Sequence, residues 1–128
     1  RVAILGLGSQ GMPVTYDARS CLTAQSTFNE ASEIRFDAHG YLWVGNRGDD
    51  SLARFSLASD NLGDPQIFRD CGRYPRHFWM DGWHLLVAGR DDNCVRVARM
   101  TRDGRPNLSD VLSAEVPAPV CILPIRTV

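Results

Sequence analysis

The chain has 128 residues, of which 44% are hydrophobic and 23% charged, and its net charge is −1. That balance describes an ordinary globular chain. It excludes the basic surplus that gathers nucleic-acid phosphates, and no apolar run approaches the ~18 residues of a membrane span.

From the N-terminus, Val2–Leu7, Pro13–Asp17 and Leu22–Ser26 read as strands, with Gly and Ser turns between them. The opening apolar stretch is too short for the core of a signal peptide. The chain begins as if in mid-strand, so the expectation is a piece of a longer cytoplasmic protein. A first complete unit follows. Its strand A is Glu33–Asp37, strand B Tyr41–Gly45, strand C Ser51–Leu57 and strand D Gln66–Asp70, divided by Gly-, Asp- and Pro-containing turns. A second unit repeats the order with His77–Asp81, His84–Ala88, Cys94–Met100 and Val111–Val116. Val120–Leu123 then falls where a further strand A would stand. Short apolar runs with turn residues every 8–12 positions mark an all-β protein.

The two units are copies. Tyr41-Leu42-Trp43-Val44-Gly45-Asn46-Arg47-Gly48-Asp49-Asp50-Ser51-Leu52 returns as His84-Leu85-Leu86-Val87-Ala88-Gly89-Arg90-Asp91-Asp92-Asn93-Cys94-Val95, at an offset of 43. A four-stranded repeat of this length predicts the blades of a β-propeller. The reading is one propeller domain over residues 1–128. It holds a partial blade at about 1–27, full blades at about 33–70 and 77–116, and a terminal strand at about 119–123. Repeat stacks need at least three units, so the segment alone is expected to be marginal. Cys21, Cys71, Cys94 and Cys121 have no CxxC or Cys/His ligand spacing and read as reduced, mostly buried thiols. No metal or other cofactor is implied.

In a propeller the strands alternate in direction, so the start of strand A and the B–C turn share one face. That gathers Glu33, Arg76 and His77 with Asn46, Arg47, Asp49, Arg90 and Asp91 around one mouth of the channel. Arg binds carboxylate or phosphate through paired N–H groups, and Glu or His moves protons. The set suits an anionic substrate with a polarisable carbonyl. Each residue also has a structural alternative: Glu33 as a strand edge, Arg76 as a tie between blades, His77 as a satisfied strand end, and Asn46 to Asp50 as a tight turn. No nucleophile elbow, zinc-protease or P-loop motif is present.

The stretch Ala31 to Ser51, the Pro75-Arg76-His77-Phe78 sequence and the closing Pro117-Ala118-Pro119-Val120-Cys121 resemble the seven-bladed propeller lactonases. These are of the bacterial 6-phosphogluconolactonase type, related to carboxymuconate lactonising enzymes. The likeness covers about Ser32 to Ile122, roughly the C-terminal third of a member. It implies hydrolysis of a sugar-acid lactone, 6-phosphogluconolactone first, with Glu33 and Arg76 as catalytic residues. Arg47, Asn46, His77 and Arg90 would contact a small anionic lactone. The likeness also implies a segment inactive by itself, because the remaining blades carry the other groups. His77 stands where the family has Asn, and Gly89-Arg90-Asp91 replaces an Asn-Gln type turn. A carboxymuconate-type cycloisomerase and a non-enzymatic binding scaffold are the other readings of the same cluster.

Overall fold

The computed structural model describes residues 1–8, 10–22 and 28–125. Its strands, in chain order, are β1 (Val2–Leu7), β2 (Pro13–Arg19), β3 (Glu30–Phe36), β4 (Leu42–Arg47), β5 (Ser51–Phe55), β6 (Leu57–Ala58), β7 (Asn61–Leu62), β8 (Gln66–Phe68), β9 (Pro75–Met80), β10 (His84–Gly89), β11 (Cys94–Met100) and β12 (Pro106–Glu115). One 3-10 turn covers Arg90–Asp92. All pairings are antiparallel: β1 with β2, β3-β4-β5-β8 as a first four-stranded sheet, and β9-β10-β11-β12 as a second, with β6-β7 a small hairpin. These are consecutive blades of a propeller. The expected Leu22–Ser26 strand lies outside the described residues save for Leu22, which is not in a strand.

Alternation along the strands decides which blade each residue meets. On β4 and β5 of the first blade, Leu42, Val44, Ala53 and Phe55 face the β1-β2 hairpin and pack with Val2, Cys21 and Leu62. The alternate residues Trp43 and Leu52 face the second blade and pack with Cys71, Phe78, Leu85 and Val87. Both faces are therefore apolar, and β4 and β5 are buried almost throughout. A blade buries neither face alone, so stacking supplies the stability.

Hydrogen bonds between blades respect the repeat. Arg19 Nε donates to the Leu62 carbonyl (3.1 Å), Ser32 Oγ to the Pro75 carbonyl (2.7 Å) and Arg35 Nε to the Phe78 carbonyl (3.1 Å), each across a separation of 43 residues. The last two join β3 to β9, the first strands of the two blades.

Three expectations change. Strand C, read as Ser51–Leu57, stops at Phe55, and Leu57 pairs instead with Leu62 in the β6-β7 hairpin. Val120–Leu123 forms no strand, because a strand exists only through a ladder and no neighbour among the described residues pairs with it. The segment keeps its repeat position nonetheless, since the Ile122 N–H bonds to His77 Nδ1. For the same reason Cys121 is exposed, whereas Cys21 and Cys71 are buried and Cys94 half-buried. The last strand of the second blade also starts earlier than its apolar pattern suggests. β12 runs Pro106–Glu115 and pairs with β11 from Pro106 onward.

Candidate active site

Glu33 and Arg76 stand at equivalent places in adjacent blades, and at both the ladder is interrupted. On β3 the register to β4 runs Ala31↔Asn46 and then Ile34↔Val44, so Ser32 and Glu33 together oppose Gly45. On β9 it runs Pro75↔Gly89 and His77↔Ala88, leaving Arg76 without a partner. A bulge releases one residue from the pleat and re-aims its side chain. Gly45 permits the first one: a Cβ there would meet Ser32 Oγ at 2.3 Å.

Glu33 is half-buried and turned to the second blade. Its Oε1 lies 2.9 Å from Arg35 Nη2 and its Oε2 3.7 Å from His77 Nε2. Arg35 is held in turn by the Phe78 carbonyl and lies 4.8 Å over the Trp79 ring. Its Nη2 is also 3.2 Å from His77 Nε2. His77 is buried and accepts the Ile122 N–H on Nδ1 at 3.2 Å. Burial pushes the imidazole pKa below its ordinary value, with Glu33 opposing and Arg35 adding to that shift. The ring is therefore neutral at pH 7. Arg76 is half-buried and forms no hydrogen bond or ion pair with the described residues, Glu33 included.

The B–C turns form a second cluster around Tyr74, which takes a left-handed backbone (φ 50°) just before Pro75. Its ring lies 3.6 Å from the Arg90 guanidinium and 5.7 Å from that of Arg47, and its hydroxyl donates to Glu30 at 3.2 Å. Arg47 pairs with Glu30 (3.5 Å) and Arg90 with Asp91 (2.7 Å). The bond from Arg90 holds the Asp91 carboxyl below the usual range. Both cations flank Tyr74, each beside a carboxylate.

Asn46 does not belong to that cluster. It is fully buried, donates to the Cys21 carbonyl and Ser51 Oγ, and accepts from Asn29. Its amide fixes the interior end of the turn, because Asn46 lies on the β4 face turned toward the β1-β2 hairpin. Sequence reasoning passed over Arg35 and Tyr74. Arg35 was within reach, since a spacing of two from Glu33 places both on one strand face. Tyr74 carried no such signal.

A family model described as "Lactonase, 7-bladed beta-propeller" matches residues 11–124. The chain belongs to the seven-bladed β-propeller lactonase family. Among solved structures, this lactonase-family chain resembles a Lactobacillus plantarum protein (27% identity, TM-score 0.80, covering 93% of this chain and 37% of that one). It also resembles a Pseudomonas aeruginosa periplasmic gluconolactonase (25% identity, TM-score 0.77, covering 93% and 35%). A Bacteroides uniformis protein described as a candidate 6-phosphogluconolactonase shares the fold (22% identity, TM-score 0.67, covering 93% and 36%). The chain thus spans little more than a third of these proteins. A search of curated proteins gave no match. Among the described residues no helix is long and apolar enough to cross a membrane.

Proposed function

We propose that this chain forms part of an enzyme that hydrolyses a six-carbon sugar-acid lactone, with 6-phosphogluconolactone the first substrate to try. The observation that carries the reading is the pair of matching bulges, which re-aim a carboxylate (Glu33) and a guanidinium with no partner among the described residues (Arg76) at the same position of adjacent blades. Membership of the lactonase family supplies the reaction type.

Glu33 takes a proton from water as the water oxygen bonds to the lactone carbonyl carbon. The carbonyl oxygen becomes an oxyanion. It collapses with cleavage of the ring C–O bond, and the leaving alkoxide recovers the proton from the Glu33 carboxyl. Arg76, whose guanidinium has no partner among the described residues, binds the substrate's anionic group. Arg47 and Arg90, each beside a carboxylate, supply further donors for the substrate at the B–C turns. The reading places the enzyme in the cytoplasm, unlike the Pseudomonas gluconolactonase, which is periplasmic.

The test is hydrolysis of 6-phosphogluconolactone and of glucono-δ-lactone by the full-length protein, corrected for spontaneous opening. Glu33→Gln should lower kcat by about 10²–10⁴-fold, the usual weight of general-base catalysis. Arg76→Ala should raise KM for the phosphorylated lactone more than for the neutral one. Full activity in both variants would end the assignment.

A further inference from the structure

We propose that His77 and Arg35 together form a two-donor site for the lactone carbonyl oxygen, with the His77 proton fixed on Nε2 by the backbone N–H of Ile122. The inference rests on the lactonase reading and assigns roles within that same site.

His77 has a hydrogen-bond donor against each ring nitrogen: the Ile122 N–H at Nδ1 and Arg35 Nη2 at Nε2, both at 3.2 Å. A neutral imidazole offers one acceptor nitrogen, so it accepts only one of them. The Ile122 donor is backbone and cannot turn away. Its segment is anchored by the Val116 N–H on the Asn93 carbonyl (2.9 Å), the Ala118 N–H on Asn93 Oδ1 (3.0 Å) and the buried Pro119. The Arg35 guanidinium has other acceptors, Glu33 Oε1 at 2.9 Å and the Phe78 carbonyl. Nδ1 is therefore the acceptor, and Nε2 carries hydrogen.

That leaves the Nε2–H and an Nη2–H side by side with their nitrogens 3.2 Å apart, too close for any atom between them, so an acceptor serving both must lie beside the pair. Glu33 fills the role only in part, because its Oε2 is 3.7 Å from Nε2, beyond hydrogen-bond length. The His77 side chain is 10% exposed, so with Nδ1 as the acceptor its Nε2–H is a largely buried donor with no acceptor at hydrogen-bond length among the described residues. A carbonyl oxygen placed there would be polarised by both groups and stabilised as it gains charge. His77 gives up no proton in the step. Nδ1 accepts the Ile122 N–H and Nε2 already carries hydrogen, so neither nitrogen is open to take a proton as the general base.

The full-length protein labelled with ¹⁵N-histidine should show, at pH 7 without lactone, a protonated Nε2 and an unprotonated Nδ1 for His77. His77→Ala should lower kcat by about 10²–10³-fold with KM nearly unchanged, as for loss of one oxyanion donor. His77→Gln, whose amide N–H reaches the ε position, should recover at least about tenfold of that loss. A proton on Nδ1 or on both nitrogens overturns the proposal. So does full kcat in the alanine variant, or equal loss in the alanine and glutamine variants when circular dichroism shows both to be folded. Absence of turnover in the wild type would sink the lactonase reading instead. The NMR arm needs no lactone and still decides the tautomer.

Discussion

Replacing Arg54 tests how adjacent blades are held together. Arg54 is 2% exposed, yet no carboxylate pairs with it among the described residues. Its guanidinium instead donates to Gln66 Oε1 (2.8 and 3.2 Å), to the Asp103 carbonyl (3.2 Å) and to the Gly104 carbonyl. It lies 4.2 Å from the Tyr41 ring and 5.6 and 5.7 Å from those of Trp43 and Phe68. Asp103 and Gly104 form the turn between β11 and β12, so one side chain of the first blade fastens a turn of the second. Arg54→Met keeps the apolar stem and removes the donors. Gln66 and Asp103 are exposed and rehydrate, whereas Gly104 is buried. An orphaned buried acceptor costs about 1–3 kcal/mol and the lost ring contacts about 0.5–2 kcal/mol, for an expected total near 2–4 kcal/mol. With a urea slope of about 1–3 kcal/mol/M, the unfolding midpoint of the full-length protein should fall by roughly 1–2 M. Arg54→Lys, which keeps the charge but not the planar fork, should fall about half as far. A methionine variant at wild-type stability, or above the lysine variant, would refute the reasoning. In that case desolvation of the guanidinium would outweigh everything it bonds to.

Three further outcomes follow from the same packing. His77 has a lowered pKa in the folded protein, so below about pH 6.5 the unfolded chain binds the extra proton first, and stability should drop as pH falls through that window; urea midpoints between pH 7.5 and 5 should show this slope, weakened in His77→Asn. Burial, with the neighbouring Asp70 charge, pushes the Cys71 thiol up to about 12, so iodoacetamide at pH 8 should modify the exposed Cys121 and spare Cys71 until the protein unfolds, as peptide mapping will read. Gly45→Ala should displace Ser32 from the Pro75 carbonyl and cost about 1–3 kcal/mol by overpacking, measured as a midpoint shift; because the bulge beside it carries Glu33, kcat should fall as well, and an unchanged kcat would detach this bulge from the chemistry.

The blades were legible in the chain because period-two alternation and turn residues act locally. Cys94–Met100 is the strand expected from the pattern, and Glu30–Phe36 and His84–Gly89 differ from it only at their ends. The offset of 43 residues, visible as repeated letters, reappears as hydrogen bonds from Ser32 to Pro75 and from Arg35 to Phe78. The cluster at the B–C turns was legible in part. Arg47 and Arg90 both lie beside Tyr74, a neighbour that no sequence pattern announces.

Strand order, repeat length and the grouping of polar residues at one end of the blades were thus determined by the sequence alone, since each depends on neighbours a few positions apart. Only the tertiary structure decided that Asn46 turns inward and that Glu33 meets Arg35 and His77 rather than Arg76. It alone decided that the Ile122 backbone selects the state of an imidazole 45 residues earlier. Those outcomes depend on which donor and acceptor meet when two blades close on each other, and that is set by packing across the junction, not by any local preference of the chain.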